Sequence, residues 1–120
     1  MRKLIIDNKL SLDNDKIDII SDFCNFCADL LEIKDSFQIK IVSNRDEHGI
    51  RTTAYYAPGN GDICIYGKNR ALVDICRSIA HEMTHMQQDE LGLITGKIQD
   101  IGGFHEDQAN SRAGEIIKRF

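Results

Sequence analysis

Apolar residues along the chain follow two periods, and each change of period marks an element. Between Ser11 and Glu32, Ile17, Ile20, Phe23, Cys24, Cys27, Leu30 and Leu31 fall on one side of a helix. Ser11, Asp13, Asn14 and Asp15 open it with oxygens that suit a cap and charges that suit the positive end of the dipole. So wide an apolar face predicts packing against a sheet. Phe37-Gln38-Ile39-Lys40-Ile41 then alternates apolar and polar, the pattern of a strand with one face in the core. Ahead of the helix, Leu4-Ile5-Ile6 is either a short strand or an ordered arm.

The middle of the chain is punctuated by turn chemistry. Asn44 to Gly49 reads as a polar turn that leaves His48 in solvent, and Arg51 to Ala57 is rich in strand formers. Pro58-Gly59-Asn60-Gly61 is a turn by composition, and Asp62 to Tyr66 supplies a further strand. Beyond it, Gly67 and Lys68 lead to Asn69, a plausible cap for the next helix.

That helix, running to Glu90, carries a stripe of Leu72, Ile75, Cys76, Ile79, Met83 and Met86. A connector from Leu91 to Phe104 holds four glycines, with Gly102-Gly103 as the expected sharp bend. In the last helix, from Glu106 to Phe120, Ala109, Ala113, Ile116, Ile117 and Phe120 define an inward face, while Lys118 and Arg119 oppose the negative end of its dipole. No repeat or linker divides the sequence. The expectation is therefore one α+β domain over residues 1–120, a small twisted sheet packed on an N-terminal helix.

Composition narrows the function classes. With 42% apolar and 28% charged residues the chain has the balance of an ordinary globular domain. A net charge of −4, with no basic stripe, argues against nucleic acid as a partner. No apolar run is long enough to span a bilayer or to form a secretory hydrophobic region, so no membrane partner and a cytoplasmic location are expected. Cys24 and Cys27 have the spacing of a redox or zinc pair. They lie on an apolar helix face, however, as does Cys76, and there free cysteine acts as a small hydrophobe.

Candidate chemistry is concentrated in His81-Glu82-Met83-Thr84-His85. Two histidines four apart on a helix are about 40° apart around the axis and roughly 6 Å along it, so both rings can reach one ion. Glu82 projects beside the pair, next to any water that the ion holds, which is why this spacing signals a zinc hydrolase. Because the two histidines lie nearly opposite the apolar stripe, the plainer alternative is a solvated helix face.

A second piece of a site stands downstream. Glu106 and Asn110 fall on or beside the inward face of the last helix, and a carboxylate aimed at an apolar interior is costly unless paired or coordinating. An ion held by His81 and His85 would be such a partner, with Asn110 bonded to a ligating side chain. His105 is the competing third ligand. The four-residue offset of Glu106 to Asn110 favours Glu106, which leaves His105 as a candidate electrophile or proton shuttle.

A His-Glu-x-x-His helix followed about twenty residues later by Glu-x-x-Ala-Asn resembles the gluzincin metallopeptidases, in particular minimal forms and the ImmA/IrrE-like peptidases, over roughly residues 61–120. The resemblance implies a zincin-like fold, Zn2+ bound by His81, His85 and Glu106, Glu82 as general base and Asn110 as orienting neighbour. It also implies that residues 61–66 lie at the sheet edge and pair with an extended substrate, against the alternative of an interior strand. Many gluzincins have Asp where this chain has Asn110, and the group that polarises the substrate carbonyl has no unambiguous counterpart among Tyr55, Tyr56, Tyr66 and His105.

The expected function is that of a zinc metalloendopeptidase, a hydrolase acting on a peptide or protein substrate. Metal lowers the pKa of water from 15.7 to about 7, and Glu82 moves the proton from that water to the leaving amine. A zinc-stabilised binding module of the same fold, without turnover, is the alternative, and a metal-free interaction domain is a third possibility.

Overall fold

A computed structural model describes residues 1–46, 53–92 and 104–120, the side chains of residues 104 and 105 excepted. The elements run β1 (Arg2–Ile6), α1 (Asn14–Leu30), β2 (Phe37–Val42), β3 (Ala54–Ala57), β4 (Asp62–Tyr66), α2 (Leu72–Glu90) and α3 (Phe104–Arg119). Together they form an α+β domain of three helices and a four-stranded sheet in the order β1-β2-β4-β3. β1, β2 and β4 are parallel, while β3 returns antiparallel to β4. No helix among the described residues is long and apolar enough to cross a membrane.

The alternation in β2 sorts its residues as the sequence suggests. Phe37, Ile39 and Ile41 enter the core beside Ile63 and Ile65 of β4. Leu4-Ile5-Ile6 belongs to β1, paired with Ile39, Lys40 and Ile41, so it is a strand and not an arm. All three helices contribute to the main core, whereas Val42, Cys64, Tyr55 and Tyr66 make a small separate cluster. α1 is capped by Asp13, whose carboxylate accepts from Lys16 N at 2.9 Å, and it buries Ile20, Phe23, Cys24 and Cys27. Leu30 departs from its expected place on that face, being 37% exposed where the helix ends.

Two further expectations are corrected. β4 is an interior strand, hydrogen-bonded on both sides, and β3 is the edge among the described residues. The hairpin accounts for this: the tight turn over 58–61 folds β3 back on β4, and β2 occupies the other flank of β4. Gly61 makes the turn possible, because its φ is +65° and a Cβ there would stand 2.5 Å from the Ser36 carbonyl oxygen. Nor is Asn69 the cap of α2. It adopts a left-handed φ of 58°, and Ala71 is the residue at the cap, without a side-chain bond.

α2 is stapled at its C-terminal end. Glu90 accepts from the backbone of Lys34 and Asp35, at 2.9 and 2.7 Å, and Gln87 donates to Leu31 O. Asp89 accepts from the Tyr56 hydroxyl at 2.6 Å and from Gly59 N at 3.1 Å, which ties the hairpin to the helix. Gly92, with φ +72°, donates to Asp89 O and ends the helix.

Candidate metal centre

α2 is buried on almost every side below its first turn. Ile75, Ile79, Met83 and Met86 are each at most 1% exposed, and burial of side chains of this size stabilises by about 1.5–3 kcal/mol each. That is enough to offset the burial of polar neighbours at about 1–3 kcal/mol apiece, provided these find partners. The polar neighbours are Glu82, Thr84, His85 and Gln88. Thr84 donates to Ala80 O at 2.8 Å. His85 is 1% exposed, so the two histidines do not lie on a solvated face; α3 covers them.

α3 packs along α2 through Ala109, Ala113 and Ile116, all buried. Small side chains at such a contact let two helix axes approach closely. Glu106 stands in the first turn of α3, where a carboxylate is favoured by the helix dipole, and reaches across to both imidazoles. Its Oε1 is 2.6 Å from His81 Nε2 and its Oε2 is 3.1 Å from His85 Nε2. The two rings are edge to face with centroids 4.9 Å apart.

The donor set suits a cation. One ligand atom from each of His81, His85 and Glu106 can be chosen so that all lie within 4.8 Å of one another. A tetrahedral ion with bonds near 2.05 Å holds its ligands about 3.3 Å apart, a separation that lies within this spread. Protonation points the same way. Gln88 Oε1 lies 2.9 Å from His85 Nδ1, which makes Nδ1 the donor and turns the Nε2 lone pair of a neutral ring towards the Glu106 carboxylate. Lone pair facing carboxylate is repulsive unless a cation, a proton or a metal ion, sits between them. Burial first of all, with a smaller contribution from His85, holds the His81 ring below its ordinary pKa of 6.5, although Glu106 and a hydrogen bond with Asn110 pull upward. His81 is thereby kept in the neutral form that ligates metal.

These residues open onto a cavity of about 350 Å3. Thr53 and Ala54 form one wall, Arg70, Asp74, Arg77, Ser78, His81 and Glu82 another, and Glu106 and Asn110 close it from α3. Glu82 is 4% exposed yet reaches this lining. No tyrosine lines it. Tyr56 is bound to Asp89, Tyr55 and Tyr66 belong to the small second cluster, and Arg45 stacks on Tyr66 at 4.9 Å. The side chain of His105 lies outside the described residues, as do His48 and the bend expected at Gly102-Gly103.

Two contributors were missed from the sequence. Gln88, fully buried, orients His85 and is itself held by donation to Gln108 Oε1 at 2.8 Å. Arg70 donates to Tyr66 O, Asp74 O and Ser78 Oγ. Extending the histidine face by one turn would have found the first, since 81, 85 and 88 are spaced four and three. Cys24, Cys27, Cys64 and Cys76 are free and buried, and none lines this cavity; burial lifts Cys24 to about 12 and Cys76 to about 11.

Comparison with known proteins returns no match: no family model fits the chain, and no curated protein or solved structure is similar to it.

Proposed function

We propose that this chain is a zinc-dependent metallopeptidase of minimal zincin-like fold, hydrolysing a peptide bond with Glu82 as the general base. The observation that carries the proposal is the convergence of His81, His85 and Glu106 on one point in a cavity that Glu82 also lines. Two imidazole nitrogens and one carboxylate oxygen are a donor set that suits zinc, and three protein ligands would leave a position open. The resemblance of the motif order to gluzincins agrees with this.

When bound, zinc supplies acidified water and draws electron density from the scissile carbonyl. The remaining work falls to the chain. Glu82 takes a proton from the attacking water on its carboxylate and returns it to the leaving amine nitrogen. Asn110 and Gln88 hold the His81 and His85 rings in place. The substrate lies along β3, not β4: β3 is the edge, and Ala54, its first residue, lines the cavity with Thr53. An extended peptide would add there as a strand through backbone groups, which fits a cytoplasmic peptidase acting on a protein segment.

Replacement of Glu82 by Gln tests the proposal. The variant is expected to bind one zinc per chain like the wild type and to lose peptide hydrolysis by a factor of about 100 or more. Wild-type protein that binds zinc but cleaves no peptide would favour a zinc-stabilised binding module. Absence of stoichiometric zinc at neutral pH would end both readings.

A further inference from the structure

Arg70 stands in the cavity wall as a half-buried cation whose partners are neutral. Its Nη1 donates to Tyr66 O at 2.8 Å, and its Nη2 to Asp74 O at 3.0 Å and Ser78 Oγ at 2.8 Å. Among the described residues it makes no ion pair. Asp74 acts on it through space but places its carboxylate 3.8 Å from Arg77. A guanidinium taken partly out of water without a counter-ion is costly, and three oxygens fixing its plane do not neutralise it. Such an arrangement suits a group poised for an anion that arrives from outside.

Position identifies where that anion would sit. The bond to Ser78 brings the head of Arg70 level with a residue three positions before His81 on α2, about 4.5 Å along the axis. A peptide laid along α2 would advance about 3.4 Å per residue, so for that direction the distance corresponds to one or two residues from the bond being cut. Charge agrees. With a divalent ion offsetting Glu82 and Glu106, the lining retains Arg70 and Arg77 against Asp74, one positive charge in excess.

We propose that Arg70 is the specificity residue of the cleft and selects peptides with a carboxylate one or two residues from the scissile bond, from an acidic side chain or the peptide's own C-terminus. The inference rests on the peptidase reading for the place of the scissile bond, but not for the binding itself. With both Nη2 hydrogens and one on Nη1 committed to the chain, Nε–H and the second Nη1–H remain to meet a carboxylate with charge-assisted hydrogen bonds, and the two remaining walls, Thr53 and Asn110, can accommodate the peptide backbone.

The experiment uses zinc-loaded Glu82→Gln protein and fluorescent peptides that differ by Glu, Gln or Lys at successive positions, each with a free or an amidated C-terminus. Binding is read by polarisation at low and high salt. The expected result is a preference of roughly tenfold to a hundredfold for the Glu peptide at one position, or for the free terminus, reduced by salt. The preference should vanish in Arg70→Gln and persist in part in Arg70→Lys. Circular dichroism and zinc content confirm that each variant is folded. Should Arg70→Gln fail to fold, the wild-type preference and its salt dependence decide alone. Equal binding of Glu and Gln peptides with both termini, or no peptide binding, overturns the inference. Cleavage by wild-type enzyme without such a preference would overturn it while leaving the peptidase reading intact. An equal loss of kcat for all peptides in Arg70→Gln would also overturn it, assigning Arg70 to the reacting carbonyl. Selective binding together with no cleavage of the same peptides by the zinc-loaded wild-type protein would sustain it and remove the peptidase reading.

Discussion

Gln88 Oε1 lies 2.9 Å from Nδ1 of His85, and this one amide decides which ring nitrogen faces Glu106. Its own position is fixed by donation to Gln108, so α3 supplies Glu106 and, at one remove, the partner that sets the tautomer of His85.

Gln88→Leu is therefore expected to weaken zinc binding by about 10–100-fold, the usual cost of losing the partner of a ligating histidine. Gln88→Glu retains an acceptor and should lose far less. Competition with a zinc chelator measures both. An affinity unchanged in Gln88→Leu would show that packing alone orients His85.

His81 makes stability depend on pH in a definite direction. Its folded pKa is lowered from 6.5, chiefly by burial. Between that lowered value and 6.5 the unfolded chain holds a proton that the folded chain does not, so stability increases with pH through this window. The contribution is complete above 6.5 and is lost as pH falls through the folded value. Urea denaturation of metal-free protein from pH 7.5 downward should show the loss, with a shallower dependence in His81→Gln. A wild-type protein that grows more stable on acidification through this range would contradict the assignment.

Asp89→Ala should destabilise the fold by about 2–3 kcal/mol, since it strands the buried Tyr56 hydroxyl and frees Gly59 N. Tyr56→Phe removes one bond of the two and leaves Asp89 in contact with Gly59, so about 1 kcal/mol is expected. Urea midpoints at neutral pH separate the two values. If both variants were as stable as the wild type, the tie between hairpin and helix would be energetically idle.

Much of this architecture is legible in residue order, and the parts that are not have a common cause. Period alone places β2, β4, α1 and α2, because alternation and helical spacing are local properties. Period also brings His81, His85 and Glu106 forward as ligand candidates, and Asn110 as a neighbour. The standing of β4 as edge or interior is not local: it depends on which strands flank it, and β1 to β4 could be ordered several ways with the same patterns. Asn69 departs from the expected cap for a different reason. Asparagine favours both caps and left-handed backbone, and here the second use prevailed. Gln88 is not legible because an amide at a helical position reads as surface unless the helix covering it is known, and Arg70 because a cation just ahead of a helix shows nothing of the turn that brings it back onto Ser78.

The staples at the end of α2 have a mechanical consequence for the cleft. Through Gln87, Asp89 and Glu90 the imidazole-bearing helix is anchored to the α1–β2 junction and to the hairpin that carries the free edge. Edge and imidazoles thus form one stationary jaw, with their mutual spacing built in. The width available to a guest is then set by how closely α3, bearing Glu106 and Asn110, comes to rest against that jaw.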